Sequence, residues 1–310
     1  MDRPPISSFV IDESKLPKDV IIYGKGDEGG KAKGIIFAMD GYDNALHETP
    51  YSDSVFFPRS YIIRTDYFDS FMETNSLQGV INRKCHRLLS VKEMNQKFME
   101  AEIPDDLREV IYDILERETE PLIVRSSSVL EDNLKYSFAG IYESLFTSNN
   151  GVLEYRVKSI ENTIKRVYAS TFNNNAKEYR NKHKIPWKNE KMALLIQNVI
   201  GQRYQTGYHY PTIAGVAFSR NYYPWNNRIE MNDGMGRLVI GLGTRAVGRS
   251  YARMFSLSNP QLRPEGSVVS EIIRYSQDKV DVLDIASDEH ISVDIDDLKG
   301  DMNDMYISCS

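Results

Sequence analysis

The chain has 310 residues, of which 41% are hydrophobic and 26% charged, and a net charge of −6. That balance excludes a global electrostatic pull toward nucleic acid or an anionic membrane, while leaving room for a local basic site. The 19 Tyr and 12 Phe exclude disorder over most of the length, and the two cysteines, Cys85 and Cys309, form neither a CxxC motif nor a disulfide framework.

Taken in chain order, residues 1–20 read as a lead-in or linker. The start, MDRPPISSFV, has no apolar segment of signal-peptide length, and no apolar run is long enough to span a bilayer. A cytoplasmic protein is expected. A glycine cluster follows in YGKGDEGGKAKG, with Gly24, Gly26, Gly29, Gly30 and Gly34 among Lys25, Lys31 and Lys33. Glycines let backbone approach a ligand closely, and lysine supplies a point charge suited to phosphate. No GxxxxGK[ST] is present, so this is not a Walker A loop, and a plain surface turn fits the local pattern as well.

SVFFPRSYIIRTDYFDSFM reads as a strand, a turn near Pro58, a second strand and the start of a helix. From Asp105 the apolar residues Leu107, Val110, Ile111, Ile114 and Leu115 fall on one helical stripe, with acids in the first turn. LIVRSS then reads as a short strand ending on a cation, IYESLFTS as a half-buried strand, and the segment from Leu153 as a helix. Pro186 and its polar flanks mark a boundary. MALLIQNVI, TIAGVAFSRN and RLVIGLG are β-like runs, and the stretch from Asp278 is rich in Asp and reads as a solvated face or a mobile segment. Interspersed strands and helices make the class mixed α/β or α+β.

Arg125 is the sharpest candidate. Its guanidinium stays protonated and offers forked donors that match phosphate oxygens, and Ser126, Ser127 and Ser128 add hydroxyl and N–H donors beside it. The alternative is an arginine paired with Glu131 or Asp132. The five histidines stand at no metal-ligand spacing, His209 reads as a loop residue, and no Gly-x-Ser-x-Gly elbow supports a serine hydrolase.

Together these residues resemble the nucleotide-binding region of the phosphoenolpyruvate synthase / pyruvate phosphate dikinase family. VRSSSVLEDNLKYSFAGIYESLF is similar to that family's VRSSAT-x-ED…SFAGQ signature, GGKAKG to its GGK segment, and FFPRSYIIRTDYFDSFM to its P-x-GF-x-IT-x-x-AY-x-x-F stretch. MALLIQNVI, AGVAFSRN and GLGTRAVG resemble, in the right order, its MAVxVQxMV hinge, SGVAFTxNP strand and GLGE turn. The likeness covers about residues 23–248.

It implies an ATP-grasp-like fold of two lobes closing on ATP, the first over residues 21–185 and the second over 186–310. It also implies that Lys31 and Arg125 contact the phosphates with Ser126 and Ser127, that Arg125 is catalytic, and that the backbone from Gln197 through Val199 to Ile200 borders the adenine. The family passes phosphate from ATP with Mg2+ to a histidine on a separate domain, and then to pyruvate on a third.

The departures are Thr244 for the Glu of GLGE, Val199 for Met, Ser219 for Thr and Tyr222 for Pro. The family's metal-holding D-x-E-W and Q-x-R-P segment has no counterpart, since QLRP at Gln261–Pro264 follows the glycine turn too soon and reads as a chance match. The chain is therefore expected to be part of a longer protein, with the second lobe incomplete, the metal ligands elsewhere and the chain inactive alone. The implied partners are ATP and the phosphohistidine and pyruvate-binding domains, without nucleic acid or membrane; a homodimer is an allowed assembly. A nucleotide-sensing module that has lost catalysis, or a family member with a glucan or antibiotic acceptor, are the alternatives.

Overall fold

The computed structural model describes residues 9–46, 49–50, 52–81, 90–131, 140–186, 190–247 and 252–301. The chain separates into two compact units, Met1–Val199 and Ile200–Ser310, and is mixed α/β. Among the described residues no helix is long and apolar enough to cross a membrane.

The first unit is built on a five-stranded sheet of β1 (Val20–Tyr23), β2 (Ser60–Ile63), β3 (Leu122–Ser128), β4 (Ser144–Thr147) and β5 (Met192–Asn198), in the order β1-β2-β5-β3-β4. Only β1 and β2 run parallel; the other pairs are antiparallel. β5 follows the Pro186 segment and lies at the centre of this sheet, with Gln197 opposite Ser60 on one side and Ile123 on the other. Its residues Met192 to Ile196 are almost wholly buried, as a central strand covered on both faces requires.

One sheet face carries the larger core, where Tyr61, Val124 and Leu194 pack with residues of α2 (Thr65–Thr74), α4 (Val91–Glu100), α5 (Asp105–Arg117) and α6 (Leu153–Ser170). The stripe expected on α5 is buried at all five positions. α6 buries Val157, Ile160, Ile164 and Val167, but Leu153 at its start stays exposed. The other face is covered by α1 (Gly29–Leu46), whose Ala32, Ile36 and Met39 pack on Ile62 and Leu195. Side chains alternate across a strand, so Ile123, Arg125 and Ser127 lie on the α1 side.

The strand expected before Pro58 does not form. Residues 52–54 make a short 3-10 turn, and Phe57 packs edge-on against Tyr42 with ring centroids 5.5 Å apart instead of entering a ladder. Proline has no N–H to give a ladder, so pairing begins after it, at Ser60.

The second unit has two antiparallel sheets. β8 (Ala214–Phe218), β9 (Met235–Val239) and β10 (Arg253–Ser256) form one, in the order β10-β9-β8. The other contains β6 (Gln202–Arg203), β7 (Tyr208–Tyr210), β11 (Lys279–Asp284) and β12 (Glu289–Asp294). Within the Asp-rich stretch, residues 279–294 form an antiparallel hairpin and not a mobile segment, with Val280, Val282 and Leu283 fully buried. His209 is a strand residue, not a loop residue: it lies in β7 opposite Leu283 and is 2% exposed.

Candidate functional site

The glycine loop lies between β1 and α1, and its glycines answer to neighbours within the chain. Gly24 has φ +90°, and a Cβ there would stand 2.4 Å from Asp66 Oδ1; at Gly26 a Cβ would stand 2.5 Å from Thr65 Oγ1. The space is taken because Asp66 accepts hydrogen bonds from the Lys25 N–H (2.9 Å) and the Gly26 N–H (3.2 Å), and Thr65 Oγ1 accepts from the Asp27 N–H (2.9 Å). The Gly29 N–H is met by Asp27 Oδ1 at 2.7 Å. An anion therefore does sit in this cradle of amides, and it is the carboxylate that opens α2. Sequence reasoning missed Thr65 and Asp66, because their partners lie about 40 residues back in the chain and neither caps α2. Asp66→Ala leaves two loop amides without their acceptor. It is expected to cost about 1–3 kcal/mol in urea unfolding, and Asp66→Asn, which keeps an acceptor oxygen, should cost less.

Gly29, at φ +73°, brings the start of α1 against β3, where a Cβ would be 1.7 Å from the Ser127 carbonyl oxygen. Ser127 Oγ completes the junction by donating to the Glu28 carbonyl (2.8 Å) and accepting from the Ala32 N–H (3.0 Å). Two turns of geometry thus deliver Lys31 to the serine run. Its Nζ donates to Ser126 Oγ at 2.8 Å and to Glu131 Oε1 at 2.7 Å. Glu131 is buried and also accepts from the Ser128 N–H through Oε2 at 2.9 Å. Burial pushes its carboxyl up, against the pull of the Lys31 ammonium and of the Ser128 and Ser126 bonds.

Arg125 meets a different partner. Its Nη1 donates to Gln197 Oε1 at 3.2 Å, and Gln197 Nε2 donates to Ser60 Oγ at 2.8 Å. The acid that local pattern offered to Arg125 is paired with Lys31, from a segment 100 residues away; Asp132 and the Ser-Phe-Ala of SFAG lie outside the described residues. Gln197 is 4% exposed, so its side chain ties the sheet together. Val199 donates its N–H to the Pro121 carbonyl (2.8 Å), and Ile200, 46% exposed, belongs to the second unit. Lys31, Ser126 and Ser127 are therefore assembled in one cluster, with Arg125 and Gln197 in a pair on the face that α1 covers.

In the second unit the glycine turn leads into α8 (Thr244–Val247). Thr244 Oγ1 donates to Asp281 Oδ2 at 2.6 Å, and Arg245 Nε to Asp281 Oδ1 at 2.8 Å, with Ser292 also donating to that carboxylate. Burial pushes the Asp281 carboxyl up, but the bonds from Ser292, Thr244 and Arg245 outweigh it and hold the carboxyl below its ordinary range. A carboxylate thus stands at the turn where the motif itself carries threonine. Among the described residues no group of three or more His, Cys, Asp or Glu could hold a metal ion.

The first unit is thus a mixed α/β scaffold that gathers a lysine and serine hydroxyls at a strand end, with an arginine on the same strand. Residues 29–296 match the model of the pyruvate phosphate dikinase AMP/ATP-binding domain, and the chain belongs to that family. No curated protein was found to match it. Family membership makes the chain an ATP-binding part of a kinase-type dikinase.

Proposed function

We propose that this chain is the ATP-binding portion of a dikinase-type phosphotransferase, in which phosphate passes from ATP, taken up with Mg2+, to a histidine on another domain and then to pyruvate. The two compact units would be its lobes, with β5 counted in the first. The observation that carries the reading is the Ala32 N–H to Ser127 Oγ bond, which locks α1 on β3 and so places the Lys31 ammonium against Ser126. Lys31 and Arg125 would neutralise phosphoryl oxygens, and the hydroxyls of Ser126 and Ser127 would orient them. The buried Gln197 side chain would hold the Arg125 guanidinium in place rather than touch nucleotide.

Calorimetry of the full-length protein with ATP and Mg2+ tests the reading. Lys31→Ala and Arg125→Ala should each lose about 1.5–3 kcal/mol of binding, about 10- to 150-fold in Kd, because each removes a charged hydrogen bond to phosphate. Unchanged affinity in both variants would sink the assignment. A second reading, nucleotide sensing without transfer, is favoured by Thr244, a neutral residue whose hydroxyl is engaged with Asp281. It predicts ATP binding with no phosphohistidine formed by the full-length protein.

A further inference from the structure

The ammonium assigned to phosphate is held in this structure by a carboxylate with almost no access to water. The Glu131 side chain is 1% exposed, against 20% for Lys31, and the two stand 2.7 Å apart. Glu131 has further fixed donors: the Ser128 N–H at 2.9 Å and the Ser126 hydroxyl at 3.3 Å. Of the charged groups on the packed elements, α1 contributes Lys31. Behind Ser128, whose hydroxyl donates to Glu190, stand Glu190 and Arg180 as a buried pair that neutralise each other.

Phosphoryl oxygens arriving at Lys31 would place a second anion on the same ammonium, beside a buried carboxylate. Like charges at that range repel strongly where water is scarce. Glu131 cannot swing into solvent without abandoning the Ser128 N–H. It can give up its charge: a protonated Glu131 still accepts from Ser128 through Oε2 and can donate its new O–H to Ser126 Oγ. Burial already favours that form, and the Lys31 ammonium opposes it.

We propose that phosphate binding at Lys31 is an exchange of anions, in which the phosphoryl oxygens take the ammonium and Glu131 takes one proton from solvent. The proposal rests on Lys31 being a phosphate contact. Its sign is fixed: binding that takes up a proton weakens as pH rises, by up to about tenfold in Kd per pH unit for one proton.

The test is calorimetry of ATP with Mg2+ between pH 7.5 and 8.5, above the phosphate titration near about 6 and well below that of lysine. Two buffers of different ionisation enthalpy report the protons taken up. Wild type should take up a measurable fraction of one proton, and its Kd should rise across the range. Glu131→Gln, with folding checked by circular dichroism, should take up none and bind with little pH dependence, more tightly than wild type at pH 8.5. Equal proton uptake in the two proteins would overturn the exchange. If E131Q does not fold, wild type alone decides: an enthalpy independent of buffer together with a flat Kd would overturn it. Absence of ATP binding by the full-length wild-type protein would overturn the phosphate reading with it, whereas binding without proton uptake would overturn the exchange alone.

Discussion

Arg180→Ala is expected to destabilise the first unit by about 3–5 kcal/mol, the usual effect of removing one partner from a buried ion pair. Arg180, on α7 (Asn174–His183), is 0% exposed and pairs with Glu190, whose side chain is 1% exposed. Its other nitrogen donates to the Thr171 carbonyl. Truncation leaves the Glu190 carboxylate buried, its full charge facing the neutral hydroxyls of Ser128 and Tyr142. For a unit of this size the loss corresponds to roughly 6–20 °C in Tm, at 2–4 °C per kcal/mol. Replacing both partners, Arg180→Met with Glu190→Leu, should recover most of it, since the desolvation penalty leaves with the charges. A loss below about 1 kcal/mol for the single variant in urea unfolding would show that the pair is not buried as described.

That pair also shows where reading the sequence stops. The stripe of α5 was legible because its five apolar residues repeat at helical spacing, and β3 because the apolar run Leu122, Ile123 and Val124 precedes Arg125. Local periodicity carries such elements. It does not say which distant group meets which. Arg125 had Glu131 six residues on, yet Arg125 donates to Gln197 and the acid meets Lys31 on another element. Arg180 and Glu190 flank the Pro186 boundary and read as ordinary polar residues. Asp281 looked like one acid in a solvated run, because its burial is set by the register of β11 against β12. The glycine cluster was visible, but its physical reason was not: Gly24 and Gly26 make room for Asp66 and Thr65, whose approach depends on β1 and β2 pairing in parallel.

Gly29→Ala is the variant that separates the architecture of the candidate site from its charges. The residue keeps every charged group and alters one methyl. Two effects add. At φ +73° an L side chain costs about 1–3 kcal/mol, and the methyl would stand 1.7 Å from the Ser127 carbonyl oxygen, an overlap with backbone that no rotamer relieves. Overpacking of this kind costs typically about 1–3 kcal/mol more as the neighbours shift. A total of about 2–6 kcal/mol is expected in denaturant unfolding. What must move is the start of α1 relative to β3, so the Ala32 N–H to Ser127 Oγ bond lengthens and Lys31 is drawn from Ser126. ATP affinity measured well below the lowered Tm should fall about as far as in Lys31→Ala, although the lysine is present. Gly79→Ala is the control: it lies in the short α3 (Gln78–Ile81), an added Cβ there meets nothing within 4 Å, and it should be neutral or stabilise by about 0.4–1 kcal/mol. Wild-type affinity in Gly29→Ala alongside a lowered Tm would show that Lys31 binds ATP without the α1–β3 junction, or does not bind it at all, and the Lys31→Ala titration distinguishes those two.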